Sequence, residues 1–308
     1  MLKRPIVRTG LVACAVAVTL VFAGCAKSAP AATAPPADLD TTALDLLTQS
    51  GSFHQQKYLL TAAEEVLVGR CMRDQGVAYP KEPPKADTRT DEERALNLAE
   101  RRRLGYGLSR ANGSDVPALD QYVRALPARA RATFTRALFG AEEQRRAIEL
   151  PGTGPVSFPG EGCLHEAQAT LYGDILSWAR VTYVPEELNN KVAALATASP
   201  EYNQAMRRWA TCMSHHGYAY ALPAKVSEDF SARYKAHGKS KRLLQQEIKA
   251  AVADATCAQQ VGIPRLVIDL KKSKSATLSV SELHSLSELA SVWSHAATTA
   301  EAVLTTTR

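Results

Sequence analysis

The chain has 308 residues, of which 45% are hydrophobic and 6% aromatic, and its formal net charge is +6. This length and apolar content suffice for one or two packed domains. Lys3, Arg4 and Arg8 lie in a segment that we expect to be removed, which leaves +6 − 3 = +3. So small a charge does not indicate a nucleic-acid-binding protein, and we expect no nucleic-acid partner.

Residues 1–24 are predicted to be a secretory signal peptide, because a basic head precedes an apolar run from Leu11 to Phe22. That run is short for a membrane span, which needs ~20 residues. The following Ala23-Gly24-Cys25 resembles the bacterial lipobox, which implies cleavage before the Cys and a diacylglycerol on its sulfur. Cys25 would then hold the protein, through acyl chains such as palmitate, on the outer face of the cytoplasmic membrane. The alternatives are an ordinary secretory signal or an uncleaved anchor.

The rest of the chain is predicted to be all-α. Residues 25–40 carry the Cys and an Ala/Pro-rich tether. We divide the remainder into a first helical unit, 41–198, and a second unit, 199–308, which includes a C-terminal helix. Apolar spacing predicts helices near Asp40, over about 55–75, from Cys163 through Trp178, over 185–198, from Ser199 to Gly217, over 229–236, over 244–257 and from Ser279 onwards. No segment shows a convincing strand pattern, and 151–162 is expected to be a Gly/Pro loop.

One short stretch occurs twice. Setting Cys71 on Cys212 also aligns the next Met, the Gly at +5, the Ala at +7 and the Tyr at +8. Each copy is typical of a helix end, because Gly76 and Gly217 can supply the positive φ that terminates a helix. A Cys one turn before such an end is well placed to bridge to a neighbouring helix.

Four cysteines remain once Cys14 in the signal and Cys25 are set aside: Cys71, Cys163, Cys212 and Cys257. An even number in an exported protein predicts two disulfides, for which three pairings are possible. We favour Cys71–Cys163 and Cys212–Cys257, because each repeat then closes on itself. A four-ligand metal site is the alternative, but no paired Cys-x-x-Cys spacing supports it. The predicted fold is therefore a disulfide-stapled helical bundle built from two related units.

The repeated Cys-Met-x-x-x-Gly-aromatic motif resembles a group of actinobacterial secreted proteins and lipoproteins of unknown function. In the second half the matching residues are Tyr202, Trp209, Cys212, Met213, Gly217, Tyr218, Tyr220, Pro223, Ala253, Asp254 and Cys257. In the first half they are Cys71, Met72, Gly76, Tyr79, Pro80, Gly105, Tyr106, Tyr122, Gly162, Cys163 and Ala167. The resemblance covers most of 55–260 and departs from the pattern at Val77, where an aromatic residue is usual. It implies architecture and location but supplies no catalytic residue.

No catalytic motif is apparent, and we expect no cofactor, no metal site and no enzyme activity. His165-Glu166 begins a zinc-protease pattern, but Ala169 stands where the second His is required. Adjacent His residues lie ~100° apart on a helix and cannot both face one ion without distortion. The candidate ligand-binding residues cluster at the second motif: Trp209, His215, His216, Tyr218 and Tyr220.

Three functional hypotheses follow. The favoured one is a membrane-anchored binding module for a peptide, a lipid or an envelope component. The others are a structural or partner-docking envelope protein and an enzyme of unrecognised type. A large apolar pocket near Trp209 and Tyr218 would favour binding, a wide flat apolar patch would favour docking, and converging titratable groups in a cleft would favour catalysis.

Overall fold

The computed structural model describes residues 38–80, 89–90, 93–94, 96–110 and 117–306. The predicted signal peptide and the lipidation site Cys25 lie outside these residues. The described part forms twelve α-helices and one two-stranded sheet. In chain order they are α1 (Thr41–Thr48), α2 (Phe53–Asp74), α3 (Leu98–Leu104), α4 (Ala118–Ala125), α5 (Ala128–Phe139), β1 (Arg146–Leu150), β2 (Gly154–Phe158), α6 (Gly162–Tyr172), α7 (Ile175–Thr197), α8 (Pro200–His215), α9 (Pro223–His237), α10 (Lys241–Val261), α11 (Ile263–Lys274) and α12 (Val280–Thr305).

The predicted helical fold is confirmed, and several helix starts lie where their caps place them. Asp40 Oδ1 accepts the Ala43 amide at 2.7 Å and begins α1. Ser199 Oγ accepts the Tyr202 amide at 3.2 Å and begins α8. The capping box predicted at Ser279 is present at the start of α12. No helix in the described ranges is both long and apolar enough to cross a bilayer.

Two helix boundaries in the middle of the chain differ from the prediction. The expected continuous face from Cys163 to Trp178 is interrupted, because Gly173 has a φ of +87° and Asp174 caps a new helix, α7. The prediction that Pro185 starts a helix is wrong, since Pro185 lies inside α7. Pro185 has no N–H, so it cannot donate to the carbonyl of Val181, one turn earlier.

The β-hairpin is the element that the sequence did not predict. β1 and β2 pair antiparallel and connect through Pro151, Gly152 and Thr153, and Gly154 closes the turn with a φ of +83°. The strand pattern was weak because the hairpin lies mostly at the surface. Only one side chain of each strand, Leu150 and Phe158, is buried.

The two units of the sequence share their cores in the folded chain. α12, which the sequence grouped with the second unit, packs against α1, α2, α6 and α7 of the first. In the opposite direction, Tyr106 and Leu108 follow α3 and pack against the core cluster around Trp209 and Met213. The two motifs therefore lie in separate core clusters of one interlocked structure.

Candidate functional site

The two disulfides join the pairs that the sequence favoured. Cys71 near the end of α2 bonds Cys163 at the start of α6, with a Cα–Cα distance of 5.5 Å. Cys212 in α8 bonds Cys257 in α10, with a Cα–Cα distance of 5.7 Å. Disulfides persist in oxidising compartments, so the protein folds in an extracytoplasmic environment.

Trp209, the first predicted ligand-binding residue, belongs to a buried polar network. It is fully buried, and its Nε1 donates to Asp254 Oδ1 at 3.0 Å. Tyr106 Oη donates to Asp254 Oδ2 at 2.8 Å. Burial raises the pKa of Asp254 above its usual range, although these two hydrogen bonds act in the opposite direction. With both oxygens of Asp254 engaged, this network fixes α8 to α10.

Glu247 precedes Asp254 by about two turns of α10 and completes the same network. The sequence did not predict this role. Its side chain is fully buried and accepts the Tyr106 amide at 2.7 Å, the Leu108 amide at 3.2 Å and the Tyr234 hydroxyl at 2.7 Å. Three donors offset the loss of hydration that a buried carboxylate suffers. Glu247 therefore acts as a structural acceptor that holds the Tyr106–Leu108 segment in place.

The other predicted ligand residues lie at the end of α8 and beyond it. His215 and His216 are exposed, whereas Tyr218 and Tyr220 are half-buried and stack at 6.4 Å. Tyr220 Oη also donates to Asp229 Oδ2 at 2.8 Å. The structure thus separates the exposed His pair from the buried Trp209, and both Tyr side chains pack on the core beside it.

One group of potential metal ligands comes together among the described residues. The sulfurs of Cys212 and Cys257 and a ring nitrogen of His216 lie within 4.8 Å of one another. The two sulfurs are bonded to each other, and a cysteine binds Zn²⁺ only as a free thiolate. The arrangement is therefore a disulfide with a neighbouring imidazole.

A cavity of about 240 Å³ lies elsewhere, among α1, α2, α6, α7 and α12. This volume is slightly below the ~300–1,000 Å³ of pockets for drug-sized ligands, so it suits a small molecule or one side chain of a larger one. Two larger clefts, beside the first disulfide (about 670 Å³) and under the hairpin (about 780 Å³), are more open to solvent. The smaller cavity is the least open of the three and is the stronger candidate, because more of a ligand's apolar surface leaves water there.

Aromatic side chains form much of the cavity wall. Phe53 of α2 stacks on Trp293 of α12, with ring centres 5.2 Å apart and an interplanar angle of 11°. Trp178 of α7 is held edge-to-face by Phe158 of the hairpin at 5.7 Å. Tyr172 of α6 closes another side. Elements from four parts of the chain therefore build one recess with aromatic walls.

Two polar side chains reach into this recess. Glu64 of α2 is half-buried and forms a hydrogen bond with Gln168 of α6, which is 3% exposed. Burial, with a smaller contribution from the charge of Glu65, raises the pKa of Glu64 to about 7, although the bond from Gln168 opposes this. Burial, followed by the charge of Glu64, also raises the pKa of Tyr172. Glu64 therefore changes charge near neutral pH inside an aromatic cavity.

The sequence contained a weak signal for this site. Glu64 lies four residues after Leu60, which places it beside the apolar stripe of α2 on the side that becomes buried. The pair Glu64-Glu65 looked like ordinary surface carboxylates, and nothing local indicated that Gln168 would meet it.

Family models, curated proteins and solved structures were each compared with the chain, and none matches it. The resemblance of the repeated motif to actinobacterial lipoproteins therefore stays a prediction. The function is inferred below from the residues and their geometry.

Proposed function

We propose that this protein is a membrane-anchored extracytoplasmic lipoprotein whose folded domain is a non-catalytic binding module. Its ligand is a peptide, a lipid or another envelope component that inserts a small group into the cavity among α1, α2, α6, α7 and α12. The two disulfides and the sequence of residues 1–25 support the location and the anchor.

The observation that carries the binding function is an aromatic cavity with buried polar groups inside it. Ligand sites in proteins are typically apolar recesses with a few convergent polar groups, one of which has a perturbed pKa. Phe53, Trp178 and Trp293 supply the apolar part, and Glu64 with Gln168 supplies the polar part.

Binding is favoured over catalysis because of what Glu64 contacts. Acid–base and nucleophilic mechanisms need a second reactive group held against the first. The hydrogen-bond partner that the described residues give Glu64 is the amide of Gln168, which neither titrates nor attacks. Such a pair is suited to holding a ligand.

A cavity-filling substitution tests the proposal. The protein is purified from its native envelope, denatured, and the small molecules that it releases are identified by mass spectrometry. Thr182 lines the cavity from α7, so we expect Thr182→Phe to abolish a ligand that the wild-type protein carries. Thr197→Phe, at an exposed position of the same helix, is the matched control. Equal release from both variants, or no bound compound in the wild type, would contradict the proposal.

A further inference from the structure

The same cavity also indicates the chemistry of its ligand. We infer that it binds an organic ammonium group, of the kind carried by a lysine side chain or a peptide amino terminus. The Glu64 carboxylate is the acceptor for its N–H groups, the Gln168 amide holds that carboxylate in place, and the aromatic walls receive the carbon chain next to it. This inference rests on the proposed binding function and narrows it to one ligand class.

Gln168 Oε1 is a buried acceptor for which the described residues provide no partner. Because Oε1 is unpaired, the hydrogen bond between Gln168 and Glu64 must use the Gln168 amide nitrogen as donor. Gln168 is the hydrogen-bond partner that the described residues give Glu64, so the rest of the carboxylate is left to accept an N–H group from a ligand. A buried carboxylate with few partners is destabilising when charged, and a bound ammonium relieves that cost.

The charged groups around the cavity favour a cation. Glu64 lies inside it and Glu186 of α7 stands at the exposed edge, whereas Glu65, the neighbour of Glu64 on α2, does not line the cavity and accepts a hydrogen bond from Tyr79 Oη. Lys57 of α2 is also at the exposed edge, and α6 contributes the neutral phenol of Tyr172. The residues of α1 and α12 that line the cavity are uncharged. A ligand that carries one positive charge therefore enters a site in which carboxylates outnumber cations.

The aromatic walls distinguish an organic ammonium from a metal ion. Ca²⁺ requires 6–8 oxygen ligands, far more than Glu64 and Gln168 provide. An ammonium needs fewer acceptors and is attracted by the face of an aromatic ring. An ammonium–aromatic contact of this kind is present at the cavity edge, where Lys57 Nζ lies 5.6 Å from the centre of the Phe53 ring.

Binding should depend on pH because a proton competes with the ligand for Glu64. The pKa of Glu64 is about 7 without ligand, so the ionised form that attracts an ammonium dominates above that value. Affinity should rise with pH up to about 7 and level off above it, and at pH 5 it should be roughly 100-fold weaker than at its maximum.

The test is isothermal titration calorimetry of the purified exported protein with benzylammonium between pH 5 and pH 8. Benzyl alcohol and phenylacetate are neutral and anionic probes of similar shape. Nα-acetyl-lysine methylamide and alanyl-leucine amide separate the two sources of the amine, a side chain and an amino terminus. We expect the ammonium probes to bind at least tenfold more tightly than the alcohol, and the tighter of the two peptide-like probes identifies the source.

Variants connect the result to the residues. Glu64→Gln should weaken benzylammonium binding at least tenfold at pH 8 and remove its pH dependence, a readout that mere structural damage would not produce. Gln168→Leu should weaken binding as well. Glu65→Gln is the matched control, because it makes the same change in the next residue of α2. The Glu65 carboxylate accepts a hydrogen bond from Tyr79 Oη at 3.1 Å, so we expect this variant to keep its affinity for benzylammonium within about twofold of the wild type.

The outcomes separate this inference from the proposed function. If benzyl alcohol or phenylacetate binds as tightly as benzylammonium, or if Glu64→Gln keeps full affinity and pH dependence, the ammonium assignment is overturned and the binding cavity remains. If none of the five probes binds a protein whose near-UV circular dichroism is native, the ammonium assignment fails and the cavity loses its support as a binding site.

Discussion

Glu64, Glu247 and Asp254 are carboxylates that reach into the interior with different numbers of partners. Glu247 receives three hydrogen bonds and Asp254 receives two, so both are satisfied by the fold itself. Glu64 has the amide of Gln168, and it alone of the three lines the cavity among α1, α2, α6, α7 and α12. A carboxylate that the protein leaves undersatisfied is destabilising when charged, and a ligand can relieve that cost.

Glu64→Gln should change how stability depends on pH. The pKa of Glu64 is about 7 in the folded state and 4.5 in the reference state. Between these values the unfolded chain loses its proton first, so the wild type becomes less stable as pH rises from about 4.5 to 7. The variant lacks this titration. Urea denaturation at pH 4.5, 6 and 8 should show the variant gaining up to about 3 kcal/mol relative to the wild type by pH 8. A constant difference across this range would contradict the raised pKa.

Gly105→Ala should destabilise the protein through Glu247. Gly105 has a φ of +63°, and a Cβ there would lie 2.8 Å from Glu247 Oε1. Glu247 cannot retreat without breaking its hydrogen bonds, so we expect a loss of about 2–4 kcal/mol, measured by chemical denaturation.

Gly107→Ala is the matched control for that substitution. Gly107 also has a positive φ, +80°, but no atom lies within 4 Å of the added Cβ. It therefore reports backbone strain alone. Equal losses at Gly105 and Gly107 would show that the contact with Glu247 contributes nothing.

At the scale of elements, the hairpin and α7 determine the cavity wall together. Phe158 of β2 is buried and contacts the edge of Trp178, while Ile175 and Ala179 of α7 pack beside it. The unpredicted hairpin therefore supports an aromatic wall of the cavity. Pro185 lines the cavity as well, where its missing N–H leaves the carbonyl of Val181 without the usual helical partner.

Replacing Cys212 and Cys257 together by Ala should destabilise the protein while the first bridge still forms. The bridge joins residues 45 apart, and closing a loop of this length is worth about 4 kcal/mol in the chain-entropy model. The loss is measured by chemical denaturation, and non-reducing peptide mapping should still recover Cys71 joined to Cys163. A peptide that links either of these cysteines to another site in the variant would contradict the independence of the two bridges.

At the scale of the whole molecule, the two sequence units stabilise each other. α12 contributes Trp293 to the cavity beside α2, and Tyr106 brings two hydrogen bonds to α10. Loss of either segment should therefore affect the core of the other unit.

Cys25→Ala should release the protein from the membrane without unfolding it. The lipobox-like junction predicts a lipid on Cys25, which precedes the helical domain in the sequence by an Ala/Pro-rich stretch. Cell fractionation and radioactive fatty-acid labelling check this, with circular dichroism as the control for folding. An unlabelled wild type, or a processed variant that stays in the membrane fraction, would contradict lipid anchoring.

Among three possible disulfide pairings the sequence favoured the one that the structure has, and by itself it determined most helices and their caps. Those features depend on local patterns, such as the Ser199 cap or the motif at Cys212, whose physical effect acts within a few residues. It also placed a predicted anchor at Cys25. It did not predict the hairpin, whose two strands bury one side chain each and so lack a clear alternation.

Only the tertiary structure decided where the candidate site lies. The sequence pointed to Trp209 and its neighbours, and the fold uses Trp209 as a core residue with its N–H already bonded. The cavity forms instead where Glu64 meets Gln168, which lies 168 − 64 = 104 residues later, and where Trp293 closes the wall from α12. Periodicity shows which face of a helix is buried, but burial of one polar side chain against another depends on packing between distant segments.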